Sequence, residues 1–256
     1  MLLTITADRS DVLDDASDLG YLLHKHPDRV QRFEVHGGQA YVFYPESTPE
    51  RCTAALLLEV DPIALVKGRD AKSQSFSLGQ YVNDRPYAAS SLVSVAMGKV
   101  FRTALGGRCD SRQHLADAAL PLTIEIPAVP GGADLVGRMF SPMGWTVEAE
   151  ALPLDPAVPA WGDSTYVRLV LTGTVRLADA LNHLYVLLPV LDGSKHYWVS
   201  DDEVDKLMRA GEGWLATHPE RELISRRYLA HQRSMTDAAL TRLAELDGDV
   251  ELPADV

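Results

Sequence analysis

Apolar and polar positions alternate with a period near two over Leu2–Thr6, which predicts a first strand. The next stretch, Asp8–Asp18, has five Asp in eleven positions and no apolar period, so it reads as a solvated loop. Ser17 is placed to cap a short helix through Leu19, Tyr21, Leu22, Leu23 and Lys25, ended by Pro27. Arg32–Val35 and Gln39–Tyr44 flank His36-Gly37-Gly38, a hairpin signal, and Pro45 is read as the stop of the second strand. Ala54–Val60 is a continuous apolar run, the pattern of a strand buried on both faces.

Residues 67–77 read as an exposed connection. Ser90 or Ser91 then opens a helix through Leu92, Val93, Val95, Ala96, Val100 and Phe101. A second helix is expected from Ser111 until before Pro121. Leu122–Ile126 follows as a strand, Leu135–Phe140 as a helix after Gly131-Gly132, and Trp145–Leu152 as a strand. Three prolines in 152–161 mark a loop or hinge. Beyond it come strands at Tyr166–Thr172 and Thr174–Leu177, and a helix or strand through Leu181–Leu188. Ser200 with Glu203 forms a capping box for a helix over Asp201–Ala210. Pro219 opens a helix over Glu220–Ala230, Thr236 caps a last one, and 247–256 reads as an acidic linker.

Strands dominate early and helices late. This predicts an α+β fold of mixed, mostly antiparallel sheets with packed helices, over a region spanning 1–246. Arg85–Ser90 echoes Lys195–Ser200 at an offset of 110. Duplicated lobes, 1–150 and 160–246, would produce such an echo, and so would chance reuse of a strand–cap–helix junction.

Charge narrows the function. Thirty-six acids against 24 bases give −12, a surface that repels free nucleic acid. The longest apolar run, Leu184–Leu191, falls well short of the roughly 20 residues a membrane helix needs. Two cysteines, Cys52 and Cys109, and the lack of a secretion signal fit a reducing, cytoplasmic setting. No dinucleotide fingerprint, phosphate loop, nucleophile elbow or His-Glu-x-x-His motif occurs. His24, His26 and His196, with the acids at 201–205, form the strongest candidate cluster for chemistry, that of a metal-dependent enzyme acting on RNA. Against it, i and i+2 on a helix point apart, and acids in a first turn suit the helix dipole.

Four longer segments carry a resemblance: Asp18–Pro27, Val42–Glu46, Tyr81–Ser90, and Leu181–Asp192 running into Lys195–Val199. Together they resemble the N-terminal region of the bacterial 3′-terminal RNA ribose 2′-O-methyltransferases (the Hen family) of RNA repair, over Met1 to about Leu246. The resemblance implies a non-catalytic module that binds and activates the ligase part of a bacterial polynucleotide kinase-phosphatase/ligase. It further implies that S-adenosylmethionine and a divalent metal belong to a C-terminal methyltransferase half, toward which 247–256 would lead. No catalytic, cofactor-binding or metal-ligating residue is expected in this stretch. Tyr87, Tyr197 and Trp198, aromatics near loops or caps, are the candidate partner anchors. Trp214 is either a further anchor or a core residue closing on the 202–210 helix. RNA contact is expected only within the complex, with Arg221, Arg226, Arg227 and Arg233 as the local basic strip. Self-association is left open.

Overall fold

The structure is a computed structural model that describes residues 1–61, 89–192, 202–229 and 233–247. Tyr87, Tyr197, Trp198, His196 and both copies of the internal echo, apart from Ala89 and Ser90, lie outside these residues. So do the expected connection at 67–77 and Ser200.

Among the described residues seven strands form one antiparallel sheet in the order β2-β3-β4-β1-β5-β7-β6. They are β1 Leu2–Asp8, β2 Gln31–Val35, β3 Gly38–Ser47, β4 Arg51–Val60, β5 Ala119–Pro130, β6 Thr146–Pro153 and β7 Asp163–Arg176. The helices of the described residues are α1 Leu19–Leu22, α2 Ala89–Val100, α3 Arg102–Leu105, α4 Gln113–Ala116, α5 Gly132–Phe140, α6 Leu177–Leu191, α7 Asp202–Ala210, α8 Arg221–Tyr228 and α9 Arg233–Asp247. The mixed α+β class expected from the sequence is the one observed. β6 and β7, on either side of the proline-rich 152–161 segment, pair along this single sheet.

One face of the sheet makes the core. Leu3, Ile5, Ala54, Leu56, Leu122, Ile124, Leu169 and Leu171 alternate inward with period two and are buried. Helix α6 lies against β5 and β7 and carries α2, α5, α7 and α8 around it, while α2 reaches β2 and β4. Helix α6 is buried on nearly every side, which explains why its apolar run has no clean period.

Several local expectations are corrected. Asp15, not Ser17, caps the opening turn: its Oδ1 accepts from Ser17 N at 2.9 Å and Ser17 Oγ at 2.6 Å, ahead of a 3-10 turn over Ala16–Asp18. Helix α1 ends at Leu22 because His24 adopts φ +55° and closes a Schellman motif. Lys25 N donates to Gly20 O and His24 N to Tyr21 O. Pro45 does not stop β3 but occupies the register shift between Phe43 and Glu46, where a missing N–H costs no ladder bond. In the β2–β3 hairpin Gly37 takes φ +76°, and Gly38 is already in the strand, where any Cβ would lie 2.0 Å from Glu59 O. The two strands expected at Tyr166–Leu177 are one, β7. Thr236 lies inside α9 rather than capping it.

Candidate functional site

Between α2, α6 and the α7–α8 connection runs a groove of about 1990 Å³. Its floor is built on α6, where His183, ahead of the apolar stretch that ends the helix, is 5% exposed. Trp145, held by the turn between α5 and β6, donates Nε1–H to His183 Nδ1 at 3.1 Å. That bond requires a lone pair on Nδ1, so the neutral ring carries its proton on Nε2. Trp214 stands edge-on to His183 at 5.2 Å, and His218 edge-on to Trp214 at 5.8 Å. Trp214 therefore closes the core, donating Nε1–H to Ala210 O at the end of α7.

Burial holds His183 neutral, with its pKa pushed down to about 4 and a smaller contribution from His218. His218 is also shifted down by burial, opposed by its bond to Met139 O and by Glu220. Its Nε2 donates to Met139 O at 3.0 Å and its Nδ1 accepts from Glu220 N at 3.0 Å, so it fixes the turn that leads into α8. Both of its nitrogens are committed to backbone. This pair orders the groove wall.

At the far end of α6, Asp192 meets the start of α2. Its Oδ2 accepts from both Ser91 N and Ser91 Oγ at 3.0 Å, capping the first turn of α2. Its Oδ1 is buried and finds no partner among the described residues. Burial pushes this carboxyl up to about 6, against the hydrogen bonds from Ser90 and Ser91 that favour the charged form. Sequence reasoning assigned no role to His183 or Asp192. The available signal was a polar residue inside a helix too apolar to have a solvent face.

The other candidates scatter. His24 Nε2 bonds Arg108 O at 2.8 Å, and His26 Nδ1 accepts from Asp28 N. Asp205 pairs with Arg242 at 2.7 Å. Among the described residues no three His, Cys, Asp or Glu side chains gather to hold a metal; His196 and Asp201 of the candidate cluster lie outside them. The basic strip is largely spent on structure: Arg221 donates to Ala216 O, Arg226 pairs with Glu222, and Arg227 caps Val190 O. No helix among the described residues is long and apolar enough to cross a membrane. Cys52 and Cys109 are buried, and burial lifts the Cys52 thiol to about 11. A thiol-reactive chromophore at pH 8 is accordingly expected to label neither cysteine in the native chain and both after unfolding.

Fold and site together define a two-layer α+β scaffold, with a helix-lined groove on one side and, among the described residues, an uncovered sheet face on the other. The chain belongs to the family described as the RNA-repair, ligase-Pnkp-associating region of Hen1, whose model matches residues 1–244. A chain in the structure of the Pnkp1/Rnl/Hen1 RNA repair complex has the same fold, with TM-score 0.60 and 13% identity over 97% of this chain. The match spans 57% of that longer chain. No curated protein matches.

Proposed function

We propose that this chain is a non-catalytic module that docks on the ligase part of a bacterial polynucleotide kinase-phosphatase/ligase and raises its activity, in the bacterial cytoplasm. The observation that carries this reading is the family match over nearly the whole length. The commitment of its buried imidazoles to backbone and indole partners is in keeping with it.

Activation is a statement about differential affinity. A binder that meets the idle and the competent ligase equally well shifts nothing, however tight it is. A tenfold rise in the competent fraction needs a tenfold preference for that state, about 1.4 kcal/mol. The acidic surface, at −12, suits a partner with a basic face and speeds encounter with it. RNA enters only within the assembled complex. In the longer protein the ligation step would be coupled to 2′-O-methylation of the RNA 3′ end, with S-adenosylmethionine and the divalent metal held outside this region.

The test is adenylylation of the ligase lysine with and without an equimolar amount of this chain. Stimulation by tenfold or more, with co-elution of the two proteins, is expected. Co-elution without stimulation would reduce the role to tethering, and the absence of both would end the proposal.

A further inference from the structure

The face of the sheet turned away from the helices presents three cross-strand rows at its β2–β3–β4–β1 end. Register places Glu34, Gln39 and Glu59 in the first; Arg32, Tyr41, Leu57 and Leu2 in the second; and Phe43, Ala55 and Thr4 in the third, with Val30 just ahead of β2 beside Phe43. Val30 is 72% exposed and Leu57 37%. Around them lies an open concavity of about 500 Å³, lined by Val30, Tyr41, Phe43 and Leu57 and rimmed by Glu59.

The sequence of β4 makes this face unusual. Ala54–Leu58 is apolar at five successive positions, as in a strand covered on both sides, yet only the side bearing Ala54, Leu56 and Leu58 meets a helical layer among the described residues. Its rim is acidic. Tyr41 Oη donates to Gln39 Oε1 at 2.7 Å and Glu59 Oε2 at 3.2 Å, which fixes the phenol along that edge. Toward the opposite edge Arg168 is shared by Glu125 and Glu150. With Glu34, Glu59, Glu125 and Glu150 against Arg32 and Arg168, the rim is net acidic, and an apolar centre so bordered is the complement of an apolar surface ringed by Lys and Arg. It repels RNA, and two copies face to face would set like charges against each other.

From this geometry we infer that the apolar rows around Tyr41 and Leu57 form the surface on which the ligase docks, through a basic-rimmed apolar patch of that partner. The inference rests on the functional reading above and adds to it the surface and the partner's chemistry.

Binding of the cognate ligase is measured by titration for the wild-type chain and for Val30→Asp, Leu57→Asp, Glu59→Lys and, as a control at another exposed apolar residue, Trp161→Asp. Val30→Asp and Leu57→Asp are each expected to weaken binding at least tenfold. Glu59→Lys should cost about threefold to tenfold and flatten the salt dependence, and Trp161→Asp should leave affinity unchanged. Val30 is so exposed that its substitution leaves folding intact, so it decides the matter even if Leu57→Asp does not fold. If the wild type fails to bind, the ligase reading itself falls. If the wild type binds and native Val30→Asp binds equally well, the ligase docks elsewhere and only this surface is withdrawn. A wild-type dimer in solution that Val30→Asp dissociates would make the face a self-interface and also overturn the inference, as would equal losses in all four variants.

Discussion

Replacing Trp145 by alanine is expected to lower the unfolding free energy by about 3–5 kcal/mol, and by phenylalanine by about 1–3 kcal/mol. The indole is 4% exposed and fills the space over Gly173, where even a Cβ would come within 3.0 Å of its ring. Alanine loses that packing and leaves a void beside α6. Phenylalanine keeps most of the ring but removes the N–H donated to His183 Nδ1. The donor stabilises neutral imidazole, so Trp145→Phe should also raise the His183 pKa from about 4 toward its ordinary value. Urea titrations give the free energies, and histidine resonances followed against pH give the change in pKa. Stability within about 0.5 kcal/mol of wild type for both variants would show that the indole is not the keystone of the groove.

The second large effect is one that the wild type partly conceals. His183 has a folded pKa of about 4 against 6.5 unfolded. The unfolded chain therefore binds more protons between these values, and this contribution is full above pH 6.5 and lost as pH falls toward 4. Asp192 runs the other way. Its folded value of about 6 lies above the unfolded 3.8, so its contribution is full below pH 3.8 and lost as pH rises through 6. Each is worth roughly 3 kcal/mol at most, because every tenfold difference in proton affinity between the two states carries about 1.4 kcal/mol. The two slopes oppose each other in the same window, and His218 adds to the His183 side. Asp192→Asn should make stability fall more steeply than in wild type as pH drops from 6.5 to 4, and gain at neutral pH. His183→Gln should flatten or reverse the slope. Curves for both variants running parallel to the wild type would refute the assignment.

Much of this fold was legible because its rules are local. The period-two strands, the Gly37 turn and the helix after Gly131 follow from alternation and turn chemistry, and each lies where the pattern puts it. What failed was tertiary. Whether Leu57 is covered depends on what lies on the far side of the sheet, which the apolar run cannot say. Pro45 looks like a stop until a bulge supplies a position needing no N–H. Asp192 caps a helix that begins about a hundred residues earlier in the chain, a contact no window of sequence contains. The site was the least legible part. Nearness to loops and caps singles out the aromatics at 87, 197 and 198, whereas the apolar rows of the open face come from register between distant strands.

The place of β1 in the sheet also governs when the molecule can fold during its own synthesis. Leu2–Asp8 is made before every other strand of the sheet, yet Ile5 is flanked by Ala54 on one side and Ile124 on the other. The nearby hairpin of β2 and β3 can form early, while the central strand waits for β5, which begins only at Ala119. Until β5 emerges, its inner edge is bare, and a nascent chain stalled short of that point would offer the cell's quality control an unpaired strand in the middle of the future sheet.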